Sequence, residues 1–159
     1  MGSILELKDK TGRTLKEIYQ NVRLTDDGEG FEIPFENYYI RVNFGEYTEE
    51  EQIKWRNESG LPLTFINITS YVMHTIKPSA KFYEYIAVEL PQKILCQHWV
   101  GVDQNNAGHV FYALFNRIAG DSADPNEIKY AILNVNWDAN TAGELLKEKF
   151  AAKWIWEKD

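Results

Sequence analysis

Between Tyr38 and Phe44 the chain alternates, with Tyr38, Ile40, Val42 and Phe44 on one side and Arg41 and Asn43 marking the other. A period of two puts successive side chains on opposite faces of a strand, so this run predicts a half-buried β-strand. Leu63 to about Thr75 is rich in β-branched residues and places Ile66, Ile68, Val72 and His74 on one face, beside Thr64 and Ser70. Lys81–Leu90, Lys93–Val102, His109–Asn116 and Glu127–Trp137 also read as strands, punctuated by Pro78, Pro91 and polar loops. A chain built from such runs must bury one face of a sheet.

Turn chemistry supplies the connections. Lys10-Thr11-Gly12-Arg13 reads as a hairpin turn between Ile4–Asp9 and Thr14–Tyr19. A second hairpin is expected at Asp26-Asp27-Gly28-Glu29-Gly30, between Val22-Arg23-Leu24 and Phe31-Glu32-Ile33. Thr48-Glu49-Glu50-Glu51 is a capping box that should start a short peripheral helix ending near Gly60 and Pro62. Thr141-Ala142-Gly143-Glu144 reads as another, starting a C-terminal helix whose stripe is Ala142, Leu146, Phe150 and Trp154. The expected fold is α+β: a curved antiparallel sheet of about seven or eight strands, the peripheral helix, and the C-terminal helix packed on the sheet.

The chain has 159 residues, 44% of them hydrophobic and 26% charged, which suits a single globular domain spanning 1–159. No apolar run approaches the roughly 20 residues that cross a bilayer, and the N-terminal residues lack the pattern of a signal peptide. A membrane partner is therefore not expected. Cys96 is the lone cysteine, consistent with a reducing, cytoplasmic setting.

Seventeen Lys and Arg against 24 Asp and Glu leave a formal charge of −7, which disfavours nucleic acid as a partner. Five Trp, nine Tyr and eight Phe offer large amphipathic contact surfaces instead. Together these suggest an acidic protein that binds a protein partner, a basic one being the natural complement, and a homodimer is a further candidate. Asp26 and Asp27 are candidate contacts on the acidic side. Trp154 and Trp156 are candidates at the C-terminus, because Trp156 falls about 200° round the helix from Trp154 and off the core stripe.

Cys96 and His98 share a strand face and form the tightest grouping of potential catalytic residues. With a turn centred between Asn105 and Asn106, His98 lies opposite Ala113 and Val102 opposite His109. That sets the two histidines on the order of 13 Å apart, too far for one metal ion. No metal or cofactor is expected. Glu84, Tyr85, His98 and Asn134 are candidates for a ligand pocket between sheet and C-terminal helix, since Glu84, His98 and Asn134 each interrupt an apolar face. Asp103-Gln104-Asn105-Asn106-Ala107-Gly108 starts like a calcium loop, but Ala107 and Leu114 stand where ligating oxygens are required. The leading functional expectation is a non-catalytic interaction protein. A small-molecule binder comes next, and an enzyme using Cys96 or His98 third.

Overall fold

The first fifteen described residues form a helix where the hairpin was expected. The computed structural model describes residues 4–48, 50–51, 64–121 and 123–158. Helix α1 spans Ile4–Ile18 and buries Leu7, Thr11, Thr14 and Leu15, a spacing of three to four that outweighs the turn signal at Gly12. Gly12 serves packing rather than turning: a Cβ there would sit 2.7 Å from the Phe31 ring.

The second hairpin forms as expected. Strands β1 (Arg23–Leu24) and β2 (Phe31–Pro34) pair antiparallel with Arg23 opposite Glu32. Thr25 and Asp27 tie the turn, the Asp27 carboxylate accepting from the Thr25 hydroxyl at 2.6 Å and the Glu29 amide at 2.9 Å. Strand β3 (Tyr39–Glu46) follows, then β4 (Thr64–Ile76), where Thr64, Ile66, Ile68, Ser70 and Val72 are all buried as the alternation requires. The Thr48 capping box is present, with Glu51 accepting from the Thr48 amide at 2.7 Å and the Thr48 hydroxyl accepting from the Glu51 amide at 3.2 Å. The helix expected after it lies outside the described residues.

Lys81–Leu90 is not a strand. Helix α2 (Ala80–Glu84) is capped by the Ser79 hydroxyl, which accepts from the Phe82 amide at 3.1 Å. It runs on through a π-helical turn (Tyr85–Glu89) and a 3₁₀ turn (Leu90–Gln92). Phe82, Tyr85, Ile86 and Leu90 are buried at helical spacing, and this face decides over the short alternation that Phe82, Glu84 and Ile86 also show.

Strands β5 (Gln97–Val102) and β6 (Val110–Ala119) pair antiparallel. The register is one residue from that expected: His98 faces Leu114 and Val102 faces Val110, because the loop also takes in His109. Val102 is exposed.

Glu127–Trp137 likewise belongs to a helix. Helix α3 spans Pro125–Phe150, so the C-terminal helix starts well before Thr141. Its true capping box is Asp124-Pro125-Asn126-Glu127: Asp124 accepts from the Glu127 amide and Glu127 from the Asp124 amide, each at 2.9 Å, with Pro125 in the first turn. Ile128, Ala131, Ile132, Val135, Ala139, Ala142 and Leu146 are its buried stripe. Ala151 stops the helix with a left-handed φ of 52°, and Trp154 leaves the stripe for β7 (Lys153–Trp154), paired to β4 with Trp154 opposite Met73.

The fold is α+β, as expected. Seven antiparallel strands form one open sheet in the order β1-β2-β3-β4-β6-β5, with β7 added to β4, and α3 packs on the sheet. Each fully buried Ile or Leu contributes about 1.5–3 kcal/mol. The chain divides into two compact units. The first comprises Met1–Ile33, Arg41–Ile68 and Arg117–Ile132; the second comprises Pro34–Ile40, Thr69–Asn116 and Leu133–Asp159. Among the described residues no helix is long and apolar enough to cross a membrane.

Candidate functional site

In the second unit, the outward sides of the strands carry a chain of aromatic rings. The Trp156 ring lies 5.2 Å from Tyr39, Tyr39 lies 6.2 Å from Tyr71, and Tyr71 lies 5.6 Å from Phe111 and 6.1 Å from Trp99. Trp99 in turn meets Phe111 at 6.1 Å and Phe115 at 6.4 Å. Small residues on β5 and β6 make room for these rings. Gly101 is paired with Phe111, whose ring occupies the place a Cβ would take, and Trp99 is paired with Ala113, which is fully covered. Trp99 and Trp156 each remain 45% exposed.

A cleft of about 660 Å³ adjoins the middle of this row. Tyr39, Tyr71 and Phe111 line it together with Val102 and Ile155, and the loop from Asp103 to Asn106 contributes its polar rim. Asp103 organises that loop. Its carboxylate accepts from the backbone of Thr75 at 3.0 Å and of Asn105 at 3.1 Å, and from the Asn106 side chain at 3.0 Å. Burial raises its pKa, but these donors outweigh burial and hold it below the ordinary carboxylate value. The loop is a fixed turn. Among the described residues no group of His, Cys, Asp or Glu could hold a metal ion.

Cys96 and His98 belong instead to a polar cluster within this unit. Asp138 of α3, 1% exposed, accepts the backbone N–H groups of Leu95 at 2.8 Å and Cys96 at 2.7 Å. Burial and the adjacent Asp138 carboxylate push the Cys96 thiol up to about 12, the reverse of what a nucleophile needs. His98 Nδ1 lies 2.9 Å from the Tyr112 hydroxyl. Desolvation lowers the His98 pKa against the opposing pull of the Ile86 carbonyl, and burial drives that of Tyr112 upward. A protonated thiol, a neutral imidazole and a neutral phenol form a structural knot rather than an activated pair.

The other expected residues are dispersed. Glu84 and Tyr85 do meet in one cleft, of about 380 Å³, with Lys81, Glu89, Lys149 and Phe150; it lies beside α2 and the end of α3. His98 and Asn134 do not line it. Asn134 is half-buried on α3. Trp154 is 7% exposed and stacks on Tyr38 at 6.0 Å, so it serves the interior. Trp156 joins the aromatic row. In the first unit, Asp26 is exposed in its turn and Asp27 is engaged within it.

Sequence reasoning missed Tyr39, Tyr71, Trp99, Phe111 and Phe115 as a group. The signal was present in the alternating runs, where some of the positions between the core residues are aromatic: Tyr39, Tyr71, Trp99, Phe111 and Phe115. No protein-family model matches the chain, and no curated protein matches it.

Proposed function

We propose that this protein is a non-catalytic interaction module that binds a protein partner through the outward aromatic row of its second unit. The observation that carries this reading is the linked set Trp156–Tyr39–Tyr71–Phe111–Trp99–Phe115, every member of which is at least partly exposed. Rigid aromatic rings bind at low entropic cost and dominate contact energies where they are desolvated. The protonated Cys96 thiol favours binding over nucleophilic catalysis. Charge has the smaller part, since Asp103 and Asp27 are spent on their own turns.

The test is capture of partners from native lysate by the wild-type chain and by Tyr39→Ser, Tyr71→Ser and Trp156→Ala. A partner retained by the wild type and lost from at least two variants supports the reading. A partner held equally by all four removes it.

A second reading rests on the 660 Å³ cleft, whose aromatic floor and amide rim suit a small molecule. Native mass spectrometry separates the two: an added mass lost on denaturation, and absent from Tyr71→Ser, would favour the ligand.

A further inference from the structure

Strand β5 ends the sheet. It is paired on one side only, from Gln97 opposite Phe115 to Val102 opposite Val110, and among the described residues no backbone bond reaches its other edge. A free edge is a row of unpaired amide and carbonyl groups, which proteins ordinarily blunt with charge, proline, brevity or cover. The opposite terminal strand, β1, is blunted: it has two residues and carries Arg23. Strand β5 has six residues, Gln97-His98-Trp99-Val100-Gly101-Val102, without an acidic residue, Lys, Arg or Pro. Two of its apolar side chains are exposed, Trp99 at 45% and Val102 at 75%, and Leu95, two residues before the strand, is 80% exposed.

We propose that a second copy of this chain covers this edge, the two β5 strands pairing antiparallel about a two-fold axis. The backbone groups specify the occupant as a strand, and the electrostatics select a copy. An edge without Lys, Arg, Asp or Glu offers an oppositely charged partner nothing to recognise. It is also a seam along which two chains of net charge −7 can meet without like charges directly opposed.

Symmetry restricts the register. A two-fold normal to the sheet keeps outward residues outward, so paired residues are an even number apart and the axis passes through a residue position. Centred on Val100, the pairing spans the strand and sets Trp99 of each copy opposite Gly101 of the other. Within the chain Gly101 already accommodates the Phe111 ring. The arrangement joins two aromatic rows into one and leaves both outward faces free, so it stands independently of the partner reading.

The test is the oligomeric state of the full chain by light scattering and sedimentation, followed into the tens of micromolar. The wild type should be a dimer. Trp99→Lys and Val102→Lys, both at exposed positions, should each weaken it by about tenfold or more while keeping the wild-type circular dichroism. Trp137→Lys, at an exposed position on α3, should leave the dimer intact. In a Cys96→Ser chain, Val100→Cys should give a covalent dimer under mild oxidation, since residues at the axis lie within disulfide reach. A wild type that stays monomeric, a dimer indifferent to both edge variants, or one dissolved by Trp137→Lys would each overturn the proposal.

Discussion

The Asp138 carboxylate of α3 accepts the backbone N–H of Cys96 at 2.7 Å, and through the same oxygen that of Leu95 at 2.8 Å. One buried side chain thus fixes the segment leading into β5 and satisfies two amides at once. Removing it leaves both donors without their partner, so Asp138→Ala should lower unfolding stability by about 2–4 kcal/mol. Asp138→Asn, which keeps a carbonyl acceptor, should lose less. Urea unfolding of the three chains measures the difference; equal stability of wild type and Asp138→Ala would show the contact to be dispensable.

The same carboxylate governs the thiol. With its pKa raised to about 12 by burial and by Asp138, Cys96 should resist alkylation at neutral pH in the folded protein. Asp138→Asn removes the neighbouring negative charge and should speed alkylation relative to wild type at equal pH. Rapid labelling of the native wild-type chain would restore Cys96 as a candidate nucleophile.

Stability should also depend on pH through His98. Its folded pKa lies below the ordinary 6.5, with desolvation the leading cause, so the unfolded chain takes up the proton first as pH falls. The contribution is therefore complete above 6.5 and is lost as pH drops below that value toward the folded pKa. Denaturant midpoints compared at about pH 7.5 and about pH 5.5 should fall in the wild type and flatten in His98→Gln. Asp103, whose folded pKa is lowered, contributes its own loss only below 3.8, outside that window.

Trp154 depends on a glycine. Its ring lies where a Cβ on Gly143 would project, and Gly143 is buried in the middle of α3. Gly143→Ala improves helix propensity but overpacks this contact, and the overpacking should win, at about 1–3 kcal/mol. A drop in thermal midpoint with a red-shifted tryptophan emission is the expected result. Unchanged or higher stability would mean that β7 yields without cost.

Strands β3 and β4 were legible because their alternation is long. Tyr38, Ile40 and Val42, and then Ile66, Ile68 and Val72, alternate within runs rich in aromatic and β-branched residues, which favour strand. The stretches around Ile128, Tyr130 and Ile132, and around Phe82, Glu84 and Ile86, alternate for only a few residues, and apolar positions at spacings of three and four overlay them. Ile128, Ala131, Val135, Ala139, Ala142 and Leu146 form the longer pattern, and α3 follows it. In α1 the glycine dominated the reading, although Leu7, Thr11 and Leu15 already share one face.

The sequence by itself determined the α+β class, the antiparallel sheet, the β1–β2 hairpin and the inward faces of β3 and β4. Each of these follows from local chemistry: side-chain period, turn residues and caps. Only the tertiary structure decided that Cys96 meets Asp138, that Trp154 turns inward while Trp156 joins Tyr39, and that Tyr71, Phe111 and Trp99 stand together. Those are contacts between residues distant along the chain. They depend on strand order and on a register that one loop residue shifted, neither of which a side-chain pattern encodes locally.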